Sequence, residues 1–251
     1  MKLVTFESRG EGRIGVLEEE SVIDLHRADE LYLSETGGDR ETREALLGTM
    51  VGFLELGELA KERASNALAH VHELMQSSRG EALRRSCVIS APDVHILPPV
   101  PVPPKVICLG LNYRDHAEEA HVSLPEQPII FSKPSTAVVG PDDFVIYPKI
   151  SSQVDYEVEL AVVMGRQGRN ITESRASDYV GGYTVFNDIS ARDIQFADKQ
   201  WFRGKSFDTF APTGPCLVLR DQISDPHHLK MELRVSGEVR QSSTTANMIF
   251  K

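Results

Sequence analysis

The chain has 251 residues, is 41% hydrophobic and carries a formal net charge of −10, enough apolar material for one sizeable core or for a large domain with a smaller partner. An acidic balance of this size disfavours a surface that tracks phosphates, so nucleic acid is not expected as a partner. The N-terminal MKLVTFESRGEG has no apolar signal region and no run reaches the roughly 18 apolar residues of a membrane span, so a cytoplasmic protein without membrane association is expected.

At the start, LVTF and IGVL flank the turn-rich ESRGEGR, which predicts a hairpin, and VIDL predicts a third strand. A helical region is expected from Glu41 to Arg85, with Leu46, Leu47, Met50, Val51 and Leu54 at helical spacing. Gly48, Gly52 and Gly57 argue against one unbroken helix, since each costs about 1 kcal/mol relative to alanine. PDVHILPPVPVPP, residues 92 to 104, has five prolines in its last seven residues; no regular element is expected to run through it, and it reads as a rigid connector. The expected division is therefore a small N-terminal α+β domain with its connector over 1–98 and a second domain over 99–251.

Beyond the connector come short apolar runs bounded by Gly, Pro, Asp and Asn: KVICLGLNY, QPIIFSKP, DDFVIYP, YEVELAVVMG, GGYTVFNDI, GPCLVL and LKMELRVSG. Their lengths predict strands. Two helices are expected among them, one after Thr172 as N-cap and one after a capping box of Ser190 and Asp193. Strands outnumber helices, so the fold class is α+β, with a mixed, mostly antiparallel sheet. No Gly-x-Gly-x-x-Gly or Walker loop marks a nucleotide cofactor site. Cys87, Cys108 and Cys216 lack CxxC spacing and read as buried small hydrophobes in a reducing compartment.

Three segments carry candidate chemistry. Within VDYEVELAVVMG, Glu157 and Glu159 share one face of a strand that Ala161 and Val163 continue as apolar positions. Such a pair is either a solvated strand face or a half-formed cation site, because neighbouring carboxylates repel and a divalent cation removes the conflict. Hard oxygen donors suit magnesium, manganese or calcium. Asp188, at the end of GGYTVFND, is either a turn aspartate or a third ligand. In LNYRDHAEEAH, His116 and Glu119 lie three apart, which gives either an ordinary surface pair or a histidine oriented as a general base. WFRGKSFDTFAPTGP offers Arg203, Lys205 and Ser206 to an anion, or simply solubilises a loop. His121, His227 and His228 read as incidental, the last two solvent-facing. His26, His70, His72 and His95 lack ligand-like company.

Taken together, GLNYRDHAEE, FSKPSTAVVGP, VDYEVELAVVMG, GYTVFNDISARDIQ and QWFRGKSFDTFAPTGP resemble motifs of the fumarylacetoacetate hydrolase family, in that family's order across residues 105 to 219. The resemblance implies a β-roll catalytic domain in a homodimer, a smaller N-terminal domain, and Mg²⁺, Mn²⁺ or Ca²⁺ held by Glu157, Glu159 and Asp188. It implies that His116 and Glu119 activate water in a segment that closes over the site, and that Lys205 lies beside a small anionic 2-oxo acid. It also implies a structural or substrate-proximal role for Lys133, and Arg203 and Ser206 are expected as further substrate contacts. Family members continue beyond this point through further strands and a threonine-glycine-threonine-proline loop, so a longer catalytic domain is expected. The activity expected is hydrolysis of a carbon–carbon bond in an acylpyruvate-like 2,4-dioxo acid. The alternatives are an isomerase or decarboxylase of a related diacid, or an inactive metal-stabilised binding protein.

Overall fold

A computed structural model describes residues 1–37, 48–77, 80–119 and 121–251. In chain order the strands are β1 (Lys2–Ser8), β2 (Glu11–Glu18), β3 (Ser21–Asp24), β4 (Val88–Ser90), β5 (Ile96–Leu97), β6 (Val106–Gly110), β7 (Ile129–Lys133) and β8 (Val138–Val139). They continue as β9 (Val154–Asp155), β10 (Val158–Met164), β11 (Val180–Asn187), β12 (Ser190–Ala191), β13 (Ala211–Pro212), β14 (Leu217–Leu219), β15 (Lys230–Val235) and β16 (Glu238–Thr244). The described α-helices are α1 (Leu25–Thr36), α2 (Met50–Leu56), α3 (Glu58–Met75), α4 (Gly80–Cys87), α5 (Arg114–Glu119), α6 (Arg192–Ala197) and α7 (Phe202–Lys205). All pairings between these strands for which register is recorded are antiparallel except β8 with β13, as expected for the α+β class.

The chain forms two compact units, each assembled from separated stretches: Met1–Val100, Val162–Thr184 and Gly214–Gln222 in the first, and Pro101–Ala161, Val185–Thr213 and Ile223–Lys251 in the second. In the first unit the predicted hairpin is β1 with β2, and VIDL supplies β3. The turn between β1 and β2 places Arg9 and Gly10 at positive φ, which glycine adopts without strain. Leu3, Ile14, Val16, Ile23 and Leu217 pack with Leu25, Ala28, Phe53, Ala60, Ala64, Ala67 and Val71 from the helices in one apolar cluster. The buried residues of α3 are Ala60, Ala64, Ala67, Leu68 and Val71, a helical stripe whose small members let the helix lie close to its neighbours.

Helix α1 is an addition to the expected elements. Asp24 caps it by accepting from the Arg27 N–H, and its carboxylate also takes Arg13 at 2.7 Å. The expected helical region is divided at Gly57, whose φ of 55° ends α2 and precedes α3. Leu46 and Leu47 lie outside the described residues. Residues 92–104 hold the end of a 3-10 turn, Ala91–Asp93, and the strand β5, which pairs with β1 just ahead of the proline run.

In the second unit, KVICLGLNY and QPIIFSKP supply β6 and β7, paired over five positions, and LKMELRVSG supplies β15, paired with β16. DDFVIYP is not a strand. The Ile146 N–H goes to the Thr209 hydroxyl, and Phe144 is 90% exposed. The segment after Thr172 is a 3-10 helix, Glu173–Tyr179, with no side-chain cap and no buried residue. The capping box also fails. Ser190 pairs in β12, Ala191 takes the N-cap position of α6, and Asp193 accepts from the Ser151 hydroxyl and the Ser152 N–H instead. Two small apolar clusters, around Ile189, Ile194 and Phe210 and around Ala137, Phe186 and Ala211, flank a polar interior.

Candidate metal centre

Glu157 precedes β10 by one residue, Glu159 lies within it, and Asp188 follows β11. The Asp188 N–H donates to the Glu157 carbonyl at 2.9 Å, and the Glu157 N–H donates to the Asn187 side chain at 3.0 Å. These bonds bring the end of one strand beside the start of the other. One carboxylate oxygen from each of Glu157, Glu159 and Asp188 lies within 4.8 Å of the other two.

Two lysines sit against this cluster. Lys205 Nζ is 2.8 Å from Glu157 Oε2 and 2.8 Å from Asp188 Oδ2, with its side chain 2% exposed. Lys133 Nζ, fully buried, donates to the carbonyls of Ile189 (3.0 Å), Phe210 (2.8 Å) and Lys205. An ammonium has three protons, so those carbonyls use all of them. Asp188 Oδ1 lies 2.7 Å from Lys133 Nζ, a buried ion pair. Three carboxylates held this close repel one another, and hard oxygen donors fit a divalent cation that removes the conflict, so Glu157, Glu159 and Asp188 together fit one.

The electrostatics follow from this crowding. Burial pushes Glu157 up, but Lys205 and Arg192 outweigh it and hold the group below the usual carboxylate range. Burial, then the charges of Asp188 and Glu157, push Glu159 up to about 8. Asp188 is also raised by burial, against the pull of the two lysines. Burial lowers the Lys133 ammonium. Burial opposes the Lys205 charge too, but Glu157 and Asp188 hold that ammonium above its ordinary value. The Cys108 thiol, buried in β6, is pushed up by burial and then by the nearby carboxylates.

Arg192 is a site residue that sequence reasoning left unassigned. Its Nη1 meets Glu157 Oε1 at 2.5 Å and Gln195 Oε1 at 3.1 Å, while Nε and Nη2 both reach Asp155 Oδ2 at 2.9 Å. The signal was its place inside SARDIQ, at the first position of α6, four residues after Asp188. Gln241 was also missed; it accepts from the Val158 N–H at 2.8 Å and donates to the Tyr156 carbonyl at 3.3 Å, tying β16 to the acidic strand.

The remaining candidates lie apart from this cluster. His116 and Glu119 are exposed on the one-and-a-half-turn helix α5. Among the described residues no hydrogen bond or ion pair joins them to each other or to the carboxylates. Arg203 is 59% exposed and forks onto Asp198 at 2.5 and 2.7 Å. Ser206 follows Lys205, and its buried hydroxyl has no partner. His228 is exposed as expected, but His227 is half-buried. His72 and His95 each face one glutamate, and all three cysteines are free thiols.

The helix bearing His116 is tethered at its start. Asn112 donates to the Phe250 carbonyl at 3.1 Å and accepts from the Phe250 N–H at 2.9 Å. The Asp115 carboxylate takes the Ser243 hydroxyl at 2.5 Å and the Asn247 amide at 2.9 Å. Burial pushes Asp115 up, but these donors and the His116 N–H hold it below the usual range.

The profile of the fumarylacetoacetate (FAA) hydrolase C-terminal family matches residues 105–251. The chain belongs to the fumarylacetoacetate hydrolase family. It is 50% identical over 208 residues to the mitochondrial oxaloacetate tautomerase Fahd2a of Rattus norvegicus, a match covering 82% of this chain and 62% of that protein. The chain thus spans a little over three-fifths of the length of this curated relative. Its fold matches fumarylacetoacetate hydrolase from psychrophilic Exiguobacterium antarcticum with a TM-score of 0.72 and 32% identity, over 99% of this chain and 76% of the other. It also matches maleylpyruvate hydrolase from Sphingobium sp. SYK-6, in complex with manganese(II) and pyruvate, with a TM-score of 0.68 and 26% identity, over 99% and 78%. The expectation of a cytoplasmic protein is corrected by the tautomerases: the rat protein and its bovine, frog and human counterparts, matching 82%, 81%, 79% and 81% of this chain, are mitochondrial.

Proposed function

Taking family membership as the premise, we propose that the protein is a divalent-cation-dependent isomerase that interconverts the enol and keto forms of a small 2-oxo diacid of the oxaloacetate type. The observation that carries this reading is the 50% identity over 208 residues with an oxaloacetate tautomerase, against 26% with the maleylpyruvate hydrolase. Mg²⁺ or Mn²⁺ held by Glu157, Glu159 and Asp188 would, when bound, polarise the 2-oxo group.

The chain's own residues supply the rest. Lys205, kept protonated by its two carboxylates, donates to the C2 oxygen as negative charge builds there. Lys133 has no proton to spare and acts by charge alone. Ser206, with its unused hydroxyl, and Arg203 bind a substrate carboxylate. His116, which Glu119 orients as α5 closes over the site, takes the proton from C3 while Lys205 gives one to the C2 oxygen; in the ketonising direction the enol oxygen gives up its proton and C3 regains one. The apolar residues Ile130, Phe144 and Phe196, 67%, 90% and 75% exposed, support the homodimer in this proposal.

The test follows the decay of oxaloacetate enol absorbance with Mg²⁺ and with chelator. Cation-dependent acceleration of ketonisation without loss of carbon dioxide is the expected result; no acceleration by metal-bound protein would sink the reading. A second reading, hydrolysis of an acylpyruvate, is favoured by the likeness to the hydrolase solved with manganese and pyruvate. Release of pyruvate and a carboxylic acid from acetylpyruvate would select it.

A further inference from the structure

Trp201 is the chain's single tryptophan, and neither the carboxylate cluster nor the proposed reaction uses it. Its carbonyl accepts the Lys205 N–H at 3.0 Å, closing the short helix α7. Its ring meets Phe131 edge to face, with centroids 5.7 Å apart, and the Lys205 ammonium lies 5.2 Å from the centroid of that same Phe131 ring. The indole has a seat made for it. A Cβ on Gly110 would lie 2.0 Å from Trp201 Cζ3 and 2.7 Å from Cη2, so only glycine leaves room there.

The other sides of Lys205 are equally constrained. A Cβ on Gly204 would lie 2.7 Å from the Gln195 backbone nitrogen, which presses this residue onto α6, and Lys133 holds the Lys205 carbonyl. We propose that Trp201 is a positioning residue for Lys205, setting its ammonium against Glu157 and Asp188 through the α7 turn and the Phe131 ring. Gly110 is the last residue of β6, and Leu111 after it turns at a φ of 53° toward α5. The indole therefore also braces the root of the His116 segment. The inference rests on Lys205 serving as the anion-stabilising group of the proposed site.

The experiment is a double-mutant cycle on Trp201→Ala and Lys205→Gln, reading oxalate binding calorimetrically in the presence of Mg²⁺ alongside turnover of oxaloacetate enol. Oxalate is a planar dianion with adjacent oxygens and needs no chemistry to report on Lys205. Trp201→Ala should weaken oxalate on the order of tenfold, the scale of a small misplacement at a site, and lower kcat with KM nearly unchanged. The double variant should be no worse than Lys205→Gln alone, since residues acting through one another do not add. Trp201→Phe should recover most of the loss. If Trp201→Ala fails to fold, Gly110→Ala serves instead: it keeps the indole but displaces it, and should shift the tryptophan emission while weakening oxalate. Additive effects of Trp201→Ala and Lys205→Gln, parent-like oxalate binding by the folded variant, or no oxalate binding by the parent would each overturn the inference. A non-additive cycle in a protein without enol turnover would leave it standing while removing the isomerase reading.

Discussion

In the first unit the space between sheet and helices is filled by Leu3, Ile14, Val16, Leu217 and the alanine stripe of α3. In the second, the most deeply buried large side chains include Lys205 and Phe210, and Lys133 and Asp188 are buried with them. The first interior is held by area removed from water, which tolerates hydrophobic exchange with partial repacking. The second is held by charges that are acceptable only while each keeps its partners. With Asp188, Lys133 and Lys205 buried, their charges stand where a small anion or a cation feels them strongly.

Removing a charge from the second unit should do the most damage. Lys133→Met leaves three buried carbonyls without a donor and Asp188 with one cation fewer, a loss of about 3 to 5 kcal/mol expected for a broken buried pair, read from urea unfolding. An apolar truncation in the first unit, Leu217→Ala, should cost about 2 to 4 kcal/mol through its cavity. Mg²⁺ affinity of the folded protein should be unchanged, and a drop would show that the two interiors are not independent. A subtler probe is pH. Glu159 has a folded-state pKa of about 8 against an ordinary 4.5, so the folded state holds the proton more tightly. The stability this contributes is full below about 4.5 and is lost as pH rises through about 8. Cation-free protein should therefore melt at progressively lower temperature across that window, and saturating Mg²⁺, which favours the ionised carboxylate, should flatten the slope. The smallest effect belongs to Arg203→Ala. Its partner Asp198 lies at the surface, where solvent and salt screen the pair, so the urea midpoint should match that of the parent.

These interiors also differ in how they could be read from sequence. The strands β1 to β3 announced themselves as short apolar runs broken by turn residues, and their consecutive buried positions pack on both faces of the sheet. The Glu157, Glu159 and Asp188 cluster was legible for a related reason, since carboxylates on a strand that continues as Ala161 and Val163 contradict their surroundings. Lys133 was not legible as a hub: three of its partners are carbonyls, 56, 72 and 77 residues away, and carbonyls have no sequence identity. Arg192 escaped for a similar reason, because a surface helix and a buried one both carry arginine. DDFVIYP misled because strand-like composition says nothing about whether a neighbouring strand exists to pair with it. Ser190 and Asp193 had the spacing of a capping box, but Asp188, Ser151 and Ser152 supplied competing partners from outside the segment.

The tether at Asn112 has a consequence for how this sequence can drift over generations. The amide clasps the main chain of Phe250 through one donor and one acceptor, and the main chain is the same whatever side chain hangs from it. Position 250 is thus free to take any residue but proline, which lacks the N–H, without loosening the clasp, whereas position 112 needs a short side chain that both gives and takes a hydrogen bond. Aspartate can accept but not donate, and leucine can do neither, so one side of this contact is open to mutation while the other is closed.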